Sequence, residues 1–480
     1  MRRFWLVAIF LLALVLRFWN LSAYPEAVDE DELAQGYNAF TLLKNGTDEY
    51  GNKFPLYFES AGDYKYPLYS YLTTIPVALF GLNETATRST HALAGALSVI
   101  AVYFLAHEVF KDKRFALLSA FVLAISPTHI HFSRVAYNTV LRALFATVSI
   151  LFFLKFLKKG KIRDAVLSFI PFVLSIFSYQ AYRIFLPAVF VLLSMFLFTK
   201  ILKENRLKLV VFTLISILVV GLSFLDPKSR ARSQDFSILI NSPKLVEQYT
   251  EDSLGKTALL ATRAFHNKIV NTSLGIAARY FSYFDPRFLF VEAFPDTERH
   301  AIPDLGLLYL IEAPLLLLGL LSLNKFVKDE NKIVPLVLLF ASPLAPALVV
   351  EGRSTFRSIV SVYAFSLLIA LGIYSLTKLK KYQTPVLVIL GLAYFGNFAY
   401  FAHQYIVHKT YHHPWYSDVG LKEMVIKVNE LYPGYKNVVM SNGHYIPYLF
   451  YNQVDPKEFI AKSEFAPRSL ARGVRVVRYD

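Results

Sequence analysis

Apolar blocks of roughly 16–20 residues recur along most of the chain, the length that an α-helix needs to cross a hydrocarbon core of about 30 Å. This pattern predicts an all-α polytopic membrane protein with about eleven transmembrane helices. The expected spans are residues 4–20, 87–106, 115–130, 139–157, 164–180, 184–200, 209–225, 305–323, 333–350, 357–377 and 384–402.

The polar loops between these blocks alternate in charge. One set is short and rich in lysine and arginine, and the positive-inside rule assigns it to the cytoplasm. The other set then lies outside, with the N-terminus cytoplasmic and the C-terminus extracytoplasmic. The basic set comprises residues 2–3, 111–114, 155–163, 200–208, 325–332 and 378–381.

The segments expected outside differ in length. Residues 21–86 form a long first outer loop, and residues 226–304 form a second. We therefore divide the chain into a transmembrane domain, residues 1–402, and an extracytoplasmic C-terminal region, residues 403–480.

Short elements are also expected in these outer segments. Pro67 to Leu82 is apolar but short, and its aromatic residues suit a helix that lies on the membrane surface. In the C-terminal region, Val419 to Leu431 reads as an amphipathic helix and Asn437 to Met440 as a strand, which together predict a small α/β module.

Composition narrows the class of protein further. The net charge of +15 would suit a nucleic-acid-binding protein, but most of the basic residues lie in the short loops, so this interpretation is rejected. The absence of cysteine excludes disulfides, thiolate metal sites and a cysteine nucleophile. His408 and His412 have the spacing of a metal-binding pair, yet no glutamate joins them in an HExxH pattern, and no metal site is predicted.

Ionisable residues inside membrane spans mark candidate functional sites because they are costly to bury in lipid. The chain has Arg17, His91, Arg142 and Glu312 in such positions, each in the expected outer half of its span. A transporter should instead place charges near the middle of the bilayer. The asymmetry favours a site at the outer boundary of the membrane.

Four acids in a row, Asp29 to Glu32, begin a helix-like stretch of the first outer loop. Asp29 and Glu32 have the spacing of a capping box, which explains two of the four. The alternative is a general base held near the membrane surface. The outer segments also carry cations that could hold a phosphate: Lys65, Arg134, Arg183, His300, Arg353 and Arg357.

Taken in order, these residues resemble the GT-C class of membrane glycosyltransferases, in particular the bacterial branch related to protein O-mannosyltransferases and lipid A aminoarabinose transferases. The matching pieces cover most of the transmembrane region but not residues 403–480. They are Asp31-Glu32 with Gly36 to Ala39, Gly62 to Tyr69, Ala86 to Arg88, Phe132 to Asn138, Tyr182-Arg183 and Arg299 to Pro303.

The resemblance implies an inverting transferase that uses a polyprenyl-phosphate sugar, with a mannose-like sugar or a pentose transferred to a lipid, glycan or protein. Asp31 then occupies the position of the catalytic base, and Lys65 that of a contact to the lipid phosphate. Related enzymes often carry an aspartate where this chain has Asn138, so a bound divalent cation is doubtful and no cofactor is expected to be required.

This reaction agrees with the residue pattern, because a phosphate leaves as a stable anion and needs no acid, so one base suffices. Asp31 is the expected base and Glu32 the second choice. Lys65, Arg183, His300, Arg353 and Arg134 are the candidates for binding the donor phosphate. Two alternatives are a lipid-linked glycan flippase and a non-catalytic membrane protein of envelope assembly.

Overall fold

The computed structural model is largely helical. It describes residues 2–198, 203–228, 230, 248, 251–252, 259–293, 300, 302–326, 330–350, 352–409, 411, 418–435, 438–439, 444–465 and 476–479. The helices are α1 (Arg2–Phe18), α2 (Glu30–Asn45), α3 (Pro67–Phe80), α4 (Glu84–Phe110), α5 (Lys113–Ile125), α6 (Pro127–Ser133), α7 (Thr139–Lys159), α8 (Ile162–Ile176), α9 (Tyr182–Leu197), α10 (Lys203–Ser223), α11 (Leu259–Phe265), α12 (Lys268–Ser282), α13 (Pro286–Phe290), α14 (Glu312–Phe326), α15 (Ile333–Ala341), α16 (Thr355–Leu376), α17 (Gln383–His403), α18 (Leu421–Leu431), α19 (Tyr445–Tyr451) and α20 (Pro456–Lys462). Two antiparallel strand pairs join β1 (Phe58–Ser60) to β2 (Asp63–Lys65) and β3 (Ser463–Phe465) to β4 (Val476–Tyr479).

Within this described part, five helices are long and apolar enough to cross a membrane: α4, α7, α10, α16 and α17. Helices α5 and α6 together make a sixth candidate, bent by 62° where Pro127 lacks the N–H that would continue the ladder of α5. Helix α9 and the stretch Ile333–Leu348 are apolar but shorter. The helical membrane fold agrees with the sequence, and the count of about eleven spans stays a prediction.

The crossing of α14 and α16 shows how closely these helices pack. A Cβ atom on Gly319 would lie 1.9 Å from the carbonyl oxygen of Leu368, and one on Gly372 would lie 2.0 Å from that of Leu315. Each glycine therefore allows the backbone of the other helix to approach, as small residues do between membrane helices.

Residues 19–83, which connect α1 to α4, are called the first loop segment. They contain α2, the β1–β2 hairpin and α3. Helix α2 begins at Asp29, whose side chain caps the backbone N–H of Glu32, and ends at Gly46, whose φ of 69° suits glycine. Helix α3 forms within the stretch predicted to be helical and leaves Ile75, Leu79 and Phe80 exposed; its position on the membrane surface stays a prediction.

Residues 418–479 are called the tail, which contains α18, α19, α20 and the β3–β4 pair. Helix α18 forms within the predicted stretch 419–431. The ends of the strand predicted at 437–440 lie outside the described residues, as does His412, so neither expectation is tested. Helix α17 extends past the expected boundary at 402 and continues as a π-helical turn to His408.

The tail packs directly on the first loop segment. Their shared apolar core contains Leu33 and Tyr37 of α2 together with Ile446 and Phe450 of α19. A Cβ atom on Gly36 would lie 2.7 Å from the Phe450 ring, so only glycine allows this approach. Polar contacts reinforce the core, because the Tyr37 hydroxyl donates to the Val454 carbonyl at 3.1 Å, and the Lys422 ammonium pairs with Glu84 at 2.8 Å.

Candidate active site

The four consecutive acids at the start of α2 occupy different environments. Asp29 caps the helix, because its Oδ1 accepts a hydrogen bond from the backbone N–H of Glu32 at 3.0 Å. Its Oδ2 accepts a second hydrogen bond, from the Tyr137 hydroxyl. The predicted capping role of Asp29 is therefore confirmed.

Glu32 lies in a buried network and is 1% exposed. Its carboxylate accepts from Nε and Nη2 of Arg88 at 2.9 and 2.8 Å, and from the backbone N–H of Ala136 at 2.7 Å. Arg88 also donates to the carbonyls of Leu21, Pro25 and Ala27. These contacts hold the first loop segment against α4 and give Glu32 a structural task.

Asp31 faces away from this network. Its Oδ1 forms an ion pair with the ammonium group of Lys65, at the end of β2. Half of the Asp31 side-chain surface is exposed, whereas that of Lys65 is 7% exposed. A carboxylate and an ammonium, the two groups that the sequence assigns to the base and to the phosphate, are thus in direct contact at the surface of the segment.

Glu30 turns toward the tail. Its backbone N–H donates to Oδ2 of Asp418 at 3.3 Å. Burial, opposed by the charge of Lys65 and reinforced by the carboxylates of Asp31 and Asp418, raises the pKa of Glu30 to about 8. Glu30 therefore keeps its proton in most molecules at neutral pH.

Glu49, which the sequence analysis did not single out, joins the first loop segment to the tail. Its fully buried carboxylate accepts from the Ser60 hydroxyl at 2.6 Å, from the backbone N–H of Ala61 at 3.3 Å and from the Tyr445 hydroxyl of the tail. Burial raises the pKa of Glu49 to about 7, although these hydrogen bonds oppose the shift.

We expect Glu49 to make the stability of this junction depend on pH. Between pH 4.5 and 7 the folded protein keeps a proton on Glu49 that the unfolded chain has released, so the contribution of Glu49 to stability falls as pH rises and is constant above pH 7. The full change amounts to at most about 3 kcal/mol. Thermal unfolding of the purified protein from pH 5 to 8 measures it.

The variant Glu49→Gln should show a shallower fall of stability between pH 5 and 7 than wild type, because it lacks the Glu49 contribution and keeps that of Glu30, whose pKa is also raised. Glu458→Gln, which removes a half-exposed carboxylate of the tail, serves as the control and should keep the wild-type slope. Equal slopes for Glu49→Gln and wild type would disprove the assignment.

Arg183 contacts two tyrosines of the first loop segment. Its buried guanidinium donates from Nη2 to the Tyr57 hydroxyl at 2.7 Å, and its Cζ is 5.7 Å from the ring centre of Tyr66, the residue after Lys65. Arg183 therefore contacts the residue that follows Lys65 in the chain.

His300 belongs to a neighbouring aromatic group. Its ring stacks on that of Phe356, with 5.3 Å between centres, and meets the Tyr137 ring edge to face at 4.8 Å. Because the Tyr137 hydroxyl bonds to Asp29, His300 is connected to the start of α2 through one side chain. Tyr137 was part of the motif that carried the resemblance, but its contact with Asp29 joins residues 108 positions apart and has no local signal.

Two other candidate cations are held by contacts of their own. The guanidinium of Arg134 donates to five backbone carbonyls of residues 16–24, at the end of α1 and beyond it. Arg353 forms an ion pair with Asp285 at 2.6 Å. Neither contact brings these arginines to Asp31 or Lys65, and their predicted role in binding phosphate is not tested.

The doubtful divalent cation is not tested by the structure. The Lys65 ammonium pairs with Oδ1 of Asp31, and the Asn138 amide, in place of a second acid, donates to the Ser178 carbonyl at 2.7 Å. Within the described ranges, no group of three histidine, aspartate or glutamate side chains could hold a metal.

Comparison with known proteins supports the resemblance predicted from the sequence. Residues 64–224 match the model of the family described as dolichyl-phosphate-mannose-protein mannosyltransferase. An uncharacterized protein of Aquifex aeolicus is 29% identical over 164 residues, which are 34% of this chain and 31% of that protein.

Two solved structures share the fold. One is the oligosaccharyltransferase AglB of Archaeoglobus fulgidus in complex with an inhibitory peptide and a dolichol-phosphate, with a TM-score of 0.52, 16% identity, and coverage of 94% of this chain and 59% of that one. The other is an oligosaccharyltransferase of the same organism in complex with Zn and sulfate, with a TM-score of 0.54, 15% identity, and coverage of 93% and 57%. The chain thus spans less than two thirds of the length of each.

Proposed function

Since residues 64–224 match the mannosyltransferase family model, we propose that this chain is an inverting glycosyltransferase that moves a sugar from a polyprenyl-phosphate donor to an acceptor hydroxyl on the outer face of the cell membrane. The observation that supports this most directly is the pair formed by the half-exposed Asp31 carboxylate and the nearly buried Lys65 ammonium.

In the proposed reaction Asp31 removes the proton from the acceptor hydroxyl. The acceptor oxygen attacks the anomeric carbon from the face opposite the phosphate and forms the new glycosidic bond. The bond between the anomeric carbon and the phosphate oxygen breaks, and polyprenyl phosphate leaves with the electron pair. One attack from the opposite face inverts the configuration of the sugar.

The leaving phosphate needs positive charge rather than a proton donor. Lys65 is the first candidate to supply it because it pairs with Asp31, and Arg183 is the second because it lies against Tyr66, the residue after Lys65. His300 is a third candidate through its position against Tyr137 and Phe356. We leave Glu32 and Arg134 out of the chemistry because backbone and ion-pair contacts occupy them. No divalent cation is required in this scheme.

The lipid-linked donor is supported by two further observations. The structurally similar AglB was solved with a dolichol-phosphate, a polyprenyl phosphate. Apolar side chains of α3 remain exposed in the same segment as Lys65, which suits a surface that meets lipid.

The test is transfer by the purified full chain in lipid vesicles. Radiolabelled polyprenyl-phosphate mannose and then a polyprenyl-phosphate pentose are supplied with an envelope extract as acceptor pool. We expect label to move to an acceptor, with polyprenyl phosphate released in equal amount. Movement of intact labelled lipid between leaflets without a product would instead indicate a flippase. If neither transfer nor movement occurs, the protein is non-catalytic.

Replacing Lys65 tests its contact with the donor. Because a hydrogen bond to a charged group contributes about 1.5–3 kcal/mol, Lys65→Gln should raise KM for the lipid-linked sugar by roughly 10–100-fold. Lys53→Gln, an exposed lysine of the same segment, should leave KM unchanged. An unaltered KM in Lys65→Gln would remove Lys65 from the phosphate site.

A further inference from the structure

A cavity of about 380 Å³ lies where α9, α14 and α15 meet near one end of each helix. Pockets that hold small molecules usually measure about 300–1,000 Å³, so this cavity is large enough for a ligand. Most of its wall is apolar. The apolar lining consists of Phe196 in the last turn of α9, Leu320 and Leu323 in the second half of α14, and Ile333 and Leu336 at the start of α15.

The cavity also has two polar lining residues, which are bonded to each other. The Lys332 ammonium donates to the side-chain oxygen of Asn324 at 2.9 Å. Asn324 lies in the last turn of α14 and Lys332 directly precedes α15, so both lie at the helix ends, and both are exposed. Within the described part of the chain, Lys332 has no carboxylate partner, so its charge can pair with an anion.

The cavity is remote from the candidate active site. Arg183, a candidate cation of that site, lies in the first turn of α9, and Phe196 follows thirteen residues later. At a rise of about 1.5 Å per residue, this separation is about 20 Å along the helix. A hydrocarbon core is about 30 Å thick, so the site and the cavity are separated by most of the depth of a membrane.

Basic segments adjoin this end of the three helices. Residues 200–208 follow α9 and residues 325–332 connect α14 to α15, and together they carry seven basic and three acidic residues. One of the basic residues, Arg206, lies with its Cζ 4.4 Å from the ring centre of Phe198 at the end of α9. The positive-inside rule assigns both segments to the cytoplasm. Basic pockets between membrane helices on that side suit the head groups of anionic lipids.

We propose that the cavity binds an anionic glycerophospholipid of the cytoplasmic leaflet, with an acyl chain against the apolar wall and the phosphate at Lys332. The ammonium keeps Asn324 as one acceptor and donates its remaining N–H groups to phosphate oxygens. Burial of the acyl chain supplies the apolar part of the affinity. A polyprenyl chain that extended here from the candidate active site would offer Lys332 only hydrocarbon, so the cation favours a lipid whose head group lies at this end.

Binding is measured by the rise in melting temperature of the delipidated full chain in detergent as phosphatidylglycerol or phosphatidylcholine is added. We expect phosphatidylglycerol to bind more tightly. Lys332→Gln should weaken its apparent Kd about fivefold, the share of one basic residue near an anionic lipid surface. Leu320→Trp fills the cavity and should weaken binding of both lipids roughly tenfold. Lys161→Gln, which removes an exposed lysine of another basic loop, should bind as wild type does.

Two further ligands distinguish the possible occupants. If glycerol 3-phosphate stabilises the protein as strongly as phosphatidylglycerol, the site is one for a free phosphate and the assignment to a lipid is wrong. If a polyprenyl monophosphate displaces phosphatidylglycerol from wild type and Leu320→Trp abolishes its binding, the cavity belongs to the path of the donor lipid and the proposal is wrong.

The variants test the site itself. Equal affinity for the two phospholipids, unchanged in Lys332→Gln, would overturn the assignment of an anionic head group. Unchanged binding in both Lys332→Gln and Leu320→Trp would overturn the cavity as a lipid site. Because Lys332 is exposed, Lys332→Gln should fold even if Leu320→Trp does not. Neither result depends on sugar transfer, so the lipid site and the proposed function can fail separately.

Discussion

Asp31→Asn should abolish most of the sugar transfer while leaving the protein folded. General-base catalysis by a positioned side chain contributes about 10²–10⁴-fold in rate, and the amide cannot accept the acceptor proton, so kcat should fall by a factor in this range. Asp31 itself is half exposed, but the substitution removes the carboxylate that pairs with the nearly buried Lys65 ammonium, so we expect a modest loss of stability beside the loss of rate.

The measurement is the rate of label transfer from the lipid-linked sugar, with thermal unfolding as the check of folding. Glu26→Gln is the matched control, because it neutralises an exposed acid of the same segment five positions earlier and should retain full activity. Wild-type kcat in a folded Asp31→Asn protein would exclude Asp31 as the base.

Glu32→Gln should have a different result, a loss of stability. The substitution leaves the guanidinium of Arg88 buried without its carboxylate, and breaking a buried ion pair in this way costs about 3–5 kcal/mol. We expect a lower melting temperature and less folded protein after extraction. Any loss of transfer should follow the loss of folded protein.

A double variant separates stability from chemistry. Glu32→Gln combined with Arg88→Gln removes the uncompensated charge, so it should recover part of the stability that the single change loses. If Glu32→Gln has normal stability and a much lower kcat, Glu32 takes part in catalysis, and the structural role assigned to it is wrong.

The first turn of α2 shows how far the sequence alone could lead. The spacing of Asp29 and Glu32 predicts a helix start, and Asp29 does cap it. A capping box would turn the Glu32 side chain back to Asp29, whereas the structure turns it to Arg88, 56 positions along the chain. A buried guanidinium binds the carboxylate more strongly than a backbone N–H that water can satisfy. The local sequence around Glu32 does not show that a distant arginine is available.

The same limit applies to the cations. Lys65 and Arg134 are both basic residues expected outside the membrane, and composition does not separate them. Their backbone contacts distinguish the two residues. The carbonyls beyond the end of α1 need hydrogen-bond donors, and Arg134 supplies them. The sequence marks Arg142 only as a charge within an apolar block, because its contacts with Tyr182 and Phe356 depend on where those residues lie in space.

The helices themselves were easier to predict than their interruptions. The apolar block at 115–130 is present, but it is divided between α5 and α6, with a bend that block length cannot reveal. Pro127 was the available signal, since proline favours a helix start and disfavours a helix interior.

The contact between the tail and the first loop segment also decides whether the number of membrane crossings between them is even or odd. Tyr37 touches Val454, and the backbone of Glu30 bonds to Asp418, so both segments must be on one side of the bilayer. The chain between residues 83 and 418 therefore crosses the membrane an even number of times, whatever the exact count. The ten crossings that the sequence predicts there meet this condition, and any revised topology must add or remove spans in pairs. Because the natural chain has no cysteine, a single introduced thiol in each segment would report its side directly.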